Sequence, residues 1–327
     1  MNATPKKTDI ADAQERTSAL DSRRSFIVQA PAGSGKTESI AQRVGSLIDE
    51  GANPASIVAF TFTERAALEL KERIVRRVAE LKGPDFRDRL GPMFVGTIHA
   101  YCFRLLQDYV PKYGNYDVLD ENRHAGFLSK HFRQIGLNKL QAKHWAPIRD
   151  FSQTVDVIAN EFIPPNALAG TTLGEVYQAY RDTLARHHCL TFSLIITCAL
   201  EALENPSIRE RVLAPLRYLL VDEYQDINPA QERLVELLSE SPVQLTVVGD
   251  DDQSIYQWRG SDVRNILTFT TRRKGAVSLE LSTNRRSRQA IVESANRFAS
   301  TIPHRLSKSM TADRAGGSCQ VVPWSAT

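Results

Sequence analysis

Residues 30–37 read APAGSGKT and follow a short apolar run, which is the pattern of a phosphate-binding loop. Gly33 and Gly35 let the backbone wrap around a phosphate with its N–H groups pointing inwards. Lys36, at the start of the expected helix, can reach the β- and γ-phosphates, and Thr37 can coordinate Mg²⁺. A glycine-rich turn with a surface lysine is the alternative. We predict a site for a nucleoside triphosphate and Mg²⁺ formed by Ala30, Gly33, Ser34, Gly35, Lys36 and Thr37.

An acidic pair, Asp222 and Glu223, follows the apolar residues 218–221. At the end of a strand, the Asp222 carboxylate can hold Mg²⁺, directly or through water, and Glu223 can take a proton from an attacking water. An acidic pair alone is as common as any helix cap, but its position downstream of a phosphate-binding loop favours catalysis. Together the two motifs predict nucleoside triphosphate hydrolysis rather than phosphorylation of a metabolite.

The apolar pattern predicts an α/β fold. Continuously apolar runs alternate with segments of helical periodicity, which is typical of a parallel sheet covered on both faces. Strand signals are few between residues 106 and 216, so we expect a mainly helical insertion there. The expected strands are 25–30, 57–62, 94–97, 218–222, 245–250 and 275–281; the expected helices include one with apolar positions Ile40, Val44, Leu47 and Ile48, and one over 66–81 with Leu70, Ile74, Val78 and Leu81.

Composition excludes several classes of protein. The 327 residues are 42% hydrophobic and 24% charged, as in ordinary globular domains, and the net charge of +3 neither requires nor excludes nucleic acid. Four scattered cysteines without a CxxC pair disfavour a disulfide framework or a zinc ribbon and favour a reducing compartment. The N-terminus lacks the apolar core of a secretory signal, and the longest apolar run is too short to span a membrane. We therefore expect a cytoplasmic protein without a membrane partner.

Two further segments identify a family. Residues 221–226 (VDEYQD) and 248–260 (VGDDDQSIYQWRG) closely resemble motifs II and III of the UvrD/Rep-type superfamily 1 DNA helicases. The resemblance covers roughly residues 10–300, and the motif III stretch is highly specific. The amino-acid sequence around the phosphate-binding loop is also similar to that of helicase-nuclease β-subunits. Other family motifs follow in the expected order: the Q motif with Gln14 and Arg16, motif Ia over 60–67, a DNA-contacting motif over 96–99, and motif IV over 284–287.

The resemblance implies a role for individual residues. Gln14 would read the adenine edge, Gln253 would sense the γ-phosphate and link it to the DNA groove, and Arg286 would act as an arginine finger. Tyr256 and Trp258 lie in one loop with a cation, and such a group can stack bases independently of their sequence. The alternative for this aromatic pair is core packing. The residues implied in single-stranded DNA binding are Phe62, Thr97, His99, Tyr256, Trp258 and Arg259.

Two positions depart from the family pattern at the adenine site. The family usually has arginine after the GKT and tyrosine before the motif IV arginine, and these two side chains sandwich the base. This chain has Glu38 and Arg285 there. Arg285 can still lie flat on a base and Glu38 can pair with it. Adenine binding is then either retained by an exchanged pair or weakened, and both alternatives stay open.

The resemblance implies a RecA-like ATPase interrupted by the helical insertion. We find neither motif V nor motif VI before Thr327. We therefore expect the ATP-binding half of a 3′-to-5′ DNA helicase, weakly active in isolation, acting on single-stranded DNA and single-strand/duplex junctions. The resemblance also implies that ATP lies in a cleft between two domains. The opposite wall of this cleft would come from a second RecA-like domain or a protein partner. The alternative is a stand-alone ATP-gated module that binds DNA or a partner without translocating. The expected division is 1–105 and 217–287 (RecA-like ATPase), 106–216 (insertion) and 288–327 (start of a second RecA-like domain).

Overall fold

The structure, a computed structural model, describes residues 25–140, 147–320 and 322. Gln14, which we predicted to contact adenine, lies outside the described residues. In the part of the chain that the structure describes, no helix has the length and apolar character needed to cross a bilayer.

The described elements, in chain order, alternate as the sequence predicted. The strands are β1 (Phe26–Gln29), β2 (Ile57–Thr61), β3 (Phe94–Thr97), β4 (Asp117–Leu119), β5 (Cys189–Thr191), β6 (Tyr218–Val221), β7 (Gln244–Gly249), β8 (Val277–Glu280), β9 (Thr283–Arg288) and β10 (Thr311–Arg314). The helices are α1 (Lys36–Asp49), α2 (Glu64–Lys82), α3 (Ile98–Tyr109), α4 (Glu121–Lys130), α5 (Phe132–Ile135), α6 (Pro147–Asn160), α7 (Thr172–Arg186), α8 (Phe192–Leu203), α9 (Pro206–Leu213), α10 (Pro229–Leu238), α11 (Arg264–Leu267), α12 (Phe269–Arg272) and α13 (Gln289–Ala299). Short 3₁₀ turns lie at Pro54–Ser56, Pro84–Leu90, Pro111–Tyr113, Leu137–Lys139, Pro165–Leu168, Tyr224–Asp226, Asp251–Gln253 and Gln257–Arg259.

A six-stranded parallel sheet forms the centre of the fold, in the order β3-β2-β6-β7-β1-β8. β1 pairs with β7 on one side and β8 on the other, while β2 lies between β3 and β6. The strands β2, β6 and β7 are buried over nearly all of their length, which explains why their sequences are continuously apolar. The predicted parallel sheet is confirmed.

Each face of the sheet has its own hydrophobic cluster, because successive residues of a strand point to opposite faces. Phe26 and Val28 of β1 pack in one cluster with the apolar sides of α1 and α2. Ile27 lies in the other cluster, which is shared with helices of the insertion. In α2, Thr63 accepts the N-cap hydrogen bond from the Ala66 N–H at 3.1 Å. The predicted apolar positions Ile40, Val44, Leu47, Ile48, Leu70, Ile74 and Val78 are buried.

Leu81, the last predicted apolar position of α2, is an exception. Its side chain is 40% exposed, although the neighbouring apolar positions of the helix are buried. The position lies one residue before the end of the helix at Lys82, where the helix reaches the margin of the core. Leu81 therefore lies at the edge of the apolar face of α2 and not in the core.

The segment between β3 and β6 is mainly helical, as predicted. The two three-residue strands β4 and β5 add a small parallel pair. The core of this segment, which includes Val155, Tyr180 and Leu194, is continuous with one face of the main sheet. Helix α3 runs through the predicted boundary between residues 105 and 106, so the division of the chain into domains stays a prediction.

The chain leaves the main sheet after β8. β9 and β10 form a second parallel pair, beside which α13 lies. The helix α13, at Gln289–Ala299, lies within the segment 288–327 that we predicted to begin a second RecA-like domain. This C-terminal unit contacts the phosphate-binding loop through the start of β9, as the following section describes.

Candidate functional site

The predicted site residues lie along one edge of the sheet. Because the strands are parallel, the carboxyl ends of β1, β2, β3, β6 and β7 meet there, and each is followed by one of the predicted motifs. Open α/β sheets bind ligands at this edge. The order of the strands puts the predicted DNA-contacting motifs, after β3 and β2, on one side of the acidic pair after β6. The phosphate-binding loop after β1 lies on the other side.

The phosphate-binding loop joins β1 to α1 in the predicted place. Gly33 and Gly35 have φ angles of +73° and +99°, in the left-handed region, and Gly35 is the N-cap of α1. A Cβ atom at Gly33 would lie 2.8 Å from the Cβ of Arg286 and 2.8 Å from Oδ1 of Asn284. The loop therefore requires glycine at this position, and it presents the N-terminus of α1 to an anion.

The two small residues of the loop are structural supports. Ala30 is fully buried, and its N–H donates to the Gly249 carbonyl of β7 at 2.9 Å. The Ser34 hydroxyl, also buried, donates to the Pro31 carbonyl at 2.7 Å. These bonds tie the loop to the sheet and close its first turn, so contacts within the protein define the shape of the loop.

Lys36 contacts two other predicted motifs, the acidic pair through Glu223 and motif III through Gln253. Its Nζ lies 2.6 Å from Oε2 of Glu223 and donates to Oε1 of Gln253 at 3.2 Å. The Lys36 side chain is 10% exposed and the Glu223 side chain is 34% exposed, so the lysine is the more shielded partner of this ion pair. The cation that should face the β- and γ-phosphates is thus held by two residues predicted to be catalytic.

Thr37 and Asp222 provide the oxygen atoms for a metal. The Thr37 hydroxyl donates to Oδ2 of Asp222 at 3.5 Å. Burial, and then the neighbouring Glu223 carboxylate, raise the pKa of Asp222 to about 7. Asp226 lies close by, its Oδ1 is buried without a hydrogen-bond partner among the described residues, and its pKa is raised to about 6 by burial and by Glu223. Carboxylates crowded in this way fit Mg²⁺, which prefers oxygen ligands, and Thr37 and Asp222 would hold it.

Glu223 is held in an unusual backbone conformation. Its φ and ψ angles are 50° and 44°, which a residue with a side chain rarely adopts. The amide Nε2 of Gln225 donates to Oε2 of Glu223 at 2.9 Å and to Oδ2 of Asp226 at 3.0 Å, and its Oε1 accepts the Asp250 N–H at 3.0 Å. Sequence reasoning assigned no role to Gln225, which is fully buried and orients the predicted base. Its place between two acidic residues in the VDEYQD segment was the available signal.

Gln253 lies in the turn that follows β7. Its Nε2 donates to Oδ2 of Asp250 at 2.5 Å, which directs its Oε1 towards Lys36. Asp250 in turn caps the turn by accepting the Asp252 N–H at 3.2 Å. The predicted γ-phosphate sensor therefore lies beside the predicted phosphate-binding lysine.

Motif IV packs directly on the phosphate-binding loop. Nδ2 of Asn284 donates to the Ala32 carbonyl at 2.7 Å, and its Oδ1 accepts the Arg286 N–H at 3.0 Å. Nη1 of Arg285 donates to the Ser34 carbonyl at 3.4 Å. The predicted arginine finger, Arg286, is exposed beside Gly33. Asn284 belongs to motif IV, but the motif did not indicate this contact with the phosphate-binding loop.

The predicted pairing of Glu38 with Arg285 is not observed. Oε2 of Glu38 instead lies 3.5 Å from Nη1 of Arg73, which reaches it from α2. The reason is geometric: α1 and α2 pack side by side along the sheet, whereas Arg285 is directed at the backbone of the phosphate-binding loop. Arg73 was not among the predicted site residues. The roles of Glu38 and Arg285 in adenine binding stay predictions.

Three aromatic side chains form a surface beyond the carboxyl end of β2. The rings of Phe62 and Tyr256 are stacked, with centroids 5.6 Å apart and planes 20° apart, and Trp258 lies 6.5 Å from Tyr256. Trp258 is 74% exposed, so core packing, the alternative considered for this pair, is wrong for the tryptophan. We call Phe62, Tyr256 and Trp258 the aromatic surface. Arg259 ends the same turn.

The other predicted DNA-contacting residues lie around the start of α3. The Thr97 hydroxyl accepts the N-cap hydrogen bond from the Ala100 N–H at 3.2 Å and donates to Oε1 of Glu64 at 2.8 Å. The imidazole of His99 lies 5.4 Å from the exposed ring of Phe192, and burial lowers the pKa of His99 to about 4. His99 is therefore neutral at physiological pH. Phe192, at the start of α8, is a further exposed aromatic residue that the motifs did not indicate.

The parallel sheet, the phosphate-binding loop and the acidic pair define a RecA-like P-loop nucleotide-binding domain with a mainly helical insertion. Residues 11–274 match the model of the UvrD/REP helicase N-terminal domain. The chain therefore belongs to the UvrD/Rep helicase family.

Two relatives illustrate the extent of the similarity. The chain is 32% identical over 283 residues to the ATP-dependent DNA helicase PcrA of Staphylococcus aureus, a match that covers 83% of this chain and 37% of the relative. It is 31% identical over 304 residues to the PcrA protein of Staphylococcus epidermidis, with 89% of this chain and 40% of the relative covered. The chain thus matches about two fifths of the length of these relatives.

Proposed function

We propose that the chain is the ATP-binding half of a DNA-stimulated 3′-to-5′ translocase or helicase that acts on single-stranded DNA and on single-strand/duplex junctions. The observation that supports this most directly is the short path between its two sites. Gln253 contacts Lys36 at the phosphate-binding loop, and Tyr256 of the aromatic surface follows three residues later in the same segment. A change at the γ-phosphate therefore has a short covalent route to the DNA.

In this mechanism the Lys36–Glu223 contact is exchanged for a contact between Lys36 and the nucleotide. An arriving γ-phosphate competes for the Lys36 ammonium, because a phosphate carries more charge than a carboxylate. Glu223 is then released to accept a proton from the attacking water, while Gln225 keeps its Oε2 oriented. Mg²⁺ held by Thr37 and Asp222 would neutralise charge on the phosphates. Arg286, exposed beside Gly33, would stabilise charge on the transferring group.

The aromatic surface supports binding of single-stranded DNA without base specificity. Every base has a face that can stack on an aromatic ring, so Phe62, Tyr256 and Trp258 would bind bases independently of sequence. Thr97, the last residue of the neighbouring strand β3, and His99, which follows that strand, extend this side of the sheet edge. Phe192, which contacts His99, would continue the same stacking surface.

We assign each part of the proposed function to one of the predicted domains. Residues 1–105 and 217–287 would be the RecA-like ATPase, 106–216 the insertion, and 288–327 the start of a second RecA-like domain. The described residues form one wall of a nucleotide cleft, and the opposite wall would come from a second RecA-like domain or a protein partner. We therefore expect the chain of 327 residues alone to hydrolyse ATP slowly.

The alternative is an ATP-gated module that binds DNA or a protein without moving along it. Both functions predict that an ATP analogue changes the affinity for single-stranded DNA, since the two sites share one segment. Only the first predicts directed movement. The contacts that support the first function support the alternative equally. The experiment must therefore measure movement along DNA rather than DNA binding.

The test uses the chain combined with the RecA-like domain or partner that supplies the opposite wall of the cleft, and biotinylated single-stranded DNA carrying streptavidin at one end. A 3′-to-5′ translocase should use ATP to displace streptavidin from the 5′ end and leave the 3′ end occupied. A Glu223→Gln variant is the matched control, because it should bind ATP without hydrolysis. Displacement from neither end, together with a nucleotide-dependent change in DNA affinity, would favour the ATP-gated module.

A further inference from the structure

A buried lysine lies next to the γ-phosphate-sensing turn. Three consecutive carboxylates, Asp250, Asp251 and Asp252, begin this turn after β7. Nζ of Lys308 lies 2.9 Å from Oδ1 of Asp250 and 3.2 Å from Oδ2 of Asp252, and it also contacts Asp251. The lysine side chain is 1% exposed. None of the family motifs found in the sequence includes Lys308.

The segment that carries Lys308 is docked on the same turn by other bonds. Arg305 forms a bidentate pair with Asp252, with N···O distances of 2.8 and 2.6 Å. The Leu306 N–H donates to Oδ2 of Asp251 at 2.8 Å. Residues 305–308 follow α13 and precede β10, so they belong to the C-terminal unit rather than to the sheet that carries the turn. We call residues 305–308 the basic clamp.

The turn after β7 also completes a closed ring of hydrogen bonds around the nucleotide site. The ring runs from Lys36 to Glu223 (2.6 Å), to Nε2 of Gln225 (2.9 Å), and from Oε1 of Gln225 to the Asp250 N–H (3.0 Å). It continues from Oδ2 of Asp250 to Gln253 (2.5 Å) and returns from Oε1 of Gln253 to Lys36 (3.2 Å). Asp250 is the member of the ring that the basic clamp touches.

We propose that Lys308 is a positioning residue for γ-phosphate recognition, acting through Asp250 on Gln253. The inference rests on the proposed nucleotide site and adds to it a residue from the C-terminal unit. Lys308 holds Oδ1 of Asp250, which leaves Oδ2 to accept the Gln253 amide and to turn its carbonyl oxygen towards Lys36. The basic clamp thereby connects the C-terminal unit to the group that distinguishes a triphosphate from a diphosphate.

The charges explain why the lysine is needed. Among the described residues, Arg305 would be the one cationic side chain left on the three adjacent carboxylates without Lys308, and its guanidinium is bonded to Asp252. Asp250 and Asp251 would then repel each other, and the Asp250 side chain would rotate towards water. Gln253 would lose its acceptor and its fixed orientation. A residue that served stability alone would affect all nucleotides equally, whereas this arrangement affects only the contact with the γ-phosphate.

The experiment measures binding of ADP and of the non-hydrolysable triphosphate AMP-PNP, both with Mg²⁺, by calorimetry on the 327-residue chain. Lys308→Met should reduce the preference for AMP-PNP over ADP by about tenfold, the effect of losing one charge-assisted hydrogen bond, while ADP affinity stays within about twofold. Lys308→Arg, which keeps the charge, should restore most of the preference. Lys274→Met removes an exposed lysine and is the matched control, which should leave both affinities unchanged.

A double-mutant cycle tests the route through Gln253. In a Gln253→Ala background, Lys308→Met should have no further effect on the AMP-PNP preference, because the group it orients is gone. If Lys308→Met fails to fold, Asp250→Asn provides the second variant and should show the same selective loss. An unchanged preference, or equal losses for ADP and AMP-PNP in a folded variant, would overturn the inference. Failure of the wild-type chain to bind either nucleotide would instead overturn the proposed nucleotide site, and this inference with it.

Discussion

Nζ of Lys36 lies 2.6 Å from Oε2 of Glu223, so the lysine of the phosphate-binding loop is paired with the predicted catalytic base. The two residues are 187 positions apart in the sequence and meet because β1 and β6 both end at the same edge of the sheet. The pair keeps both charges compensated in a largely buried site. In the mechanism that we propose, a bound γ-phosphate competes for Lys36 and thereby frees Glu223 to act as a base.

The first prediction separates the roles of these two residues. Lys36→Ala removes the cation that faces the phosphates, and charge-assisted bonds of this kind contribute roughly 1.5–3 kcal/mol each, so affinity for ATP–Mg²⁺ should fall ~10- to 100-fold. Glu223→Gln should retain ATP binding and lose hydrolysis, because it removes a base and no phosphate contact. Calorimetry and a phosphate-release assay measure the two effects. An unchanged dissociation constant in Lys36→Ala would contradict the assignment of the loop.

The second prediction concerns the glycine that faces motif IV. Gly33→Ala should weaken nucleotide binding by about tenfold or more, since the new Cβ would meet Arg286 and Asn284 at 2.8 Å and the backbone is left-handed there. Gly51→Ala is the matched control. Gly51 is also left-handed, with φ of +96°, but a Cβ there would have nothing within 4 Å. Equal nucleotide affinities in the two variants would show that a side chain at position 33 does not disturb the phosphate-binding loop.

The third prediction concerns the aromatic surface. Trp258→Ala or Tyr256→Ala should each reduce the free energy of single-stranded DNA binding by roughly 1–3 kcal/mol, independently of base sequence, and leave ATP affinity without DNA unchanged. Fluorescence anisotropy with oligonucleotides of different sequence gives the affinities. Phe298→Ala is the control, because Phe298 is similarly exposed, at 71%, on α13. If neither substitution in the aromatic surface weakens DNA binding, these rings do not contact DNA.

Much of the fold was accessible from local patterns in the sequence. The strands of a parallel sheet are buried on both faces, so their continuous apolar runs marked β1, β2, β3, β6, β7 and β8 to within two residues of their observed ends. The loop between β1 and α1 followed equally from Gly33, Gly35 and Lys36. These features depend on neighbouring residues, and neighbouring residues are what a sequence pattern records.

Contacts between distant segments were not accessible in this way. Arg73 meets Glu38 only because α1 and α2 pack side by side, and Lys308 meets Asp250 across 58 positions of chain. The individual side chains are ordinary surface types, and only the tertiary fold buries or pairs them. The same holds for His124 and Tyr180, which lie 56 positions apart and form a buried hydrogen bond within the insertion.

The last prediction uses that buried histidine. Nε2 of His124 lies 2.8 Å from the Tyr180 hydroxyl and Nδ1 lies 3.3 Å from the Ser152 hydroxyl. Burial lowers the pKa of His124 from 6.5 to about 4, so the folded chain keeps the imidazole neutral while the unfolded chain protonates it below pH 6.5. Stability should therefore be fully present above pH 6.5 and decrease as the pH falls towards 4, by up to about 3 kcal/mol.

Urea unfolding followed by circular dichroism between pH 4.5 and 7.5 measures this loss. His124→Gln keeps a hydrogen-bonding side chain that does not titrate, so its stability should change less with pH than that of the wild type, and the difference between the two curves isolates the histidine. His304→Gln, which replaces an exposed histidine, should leave the pH dependence as it is in the wild type. Parallel curves for the wild type and His124→Gln would mean that the buried imidazole is not the group whose protonation destabilises the insertion.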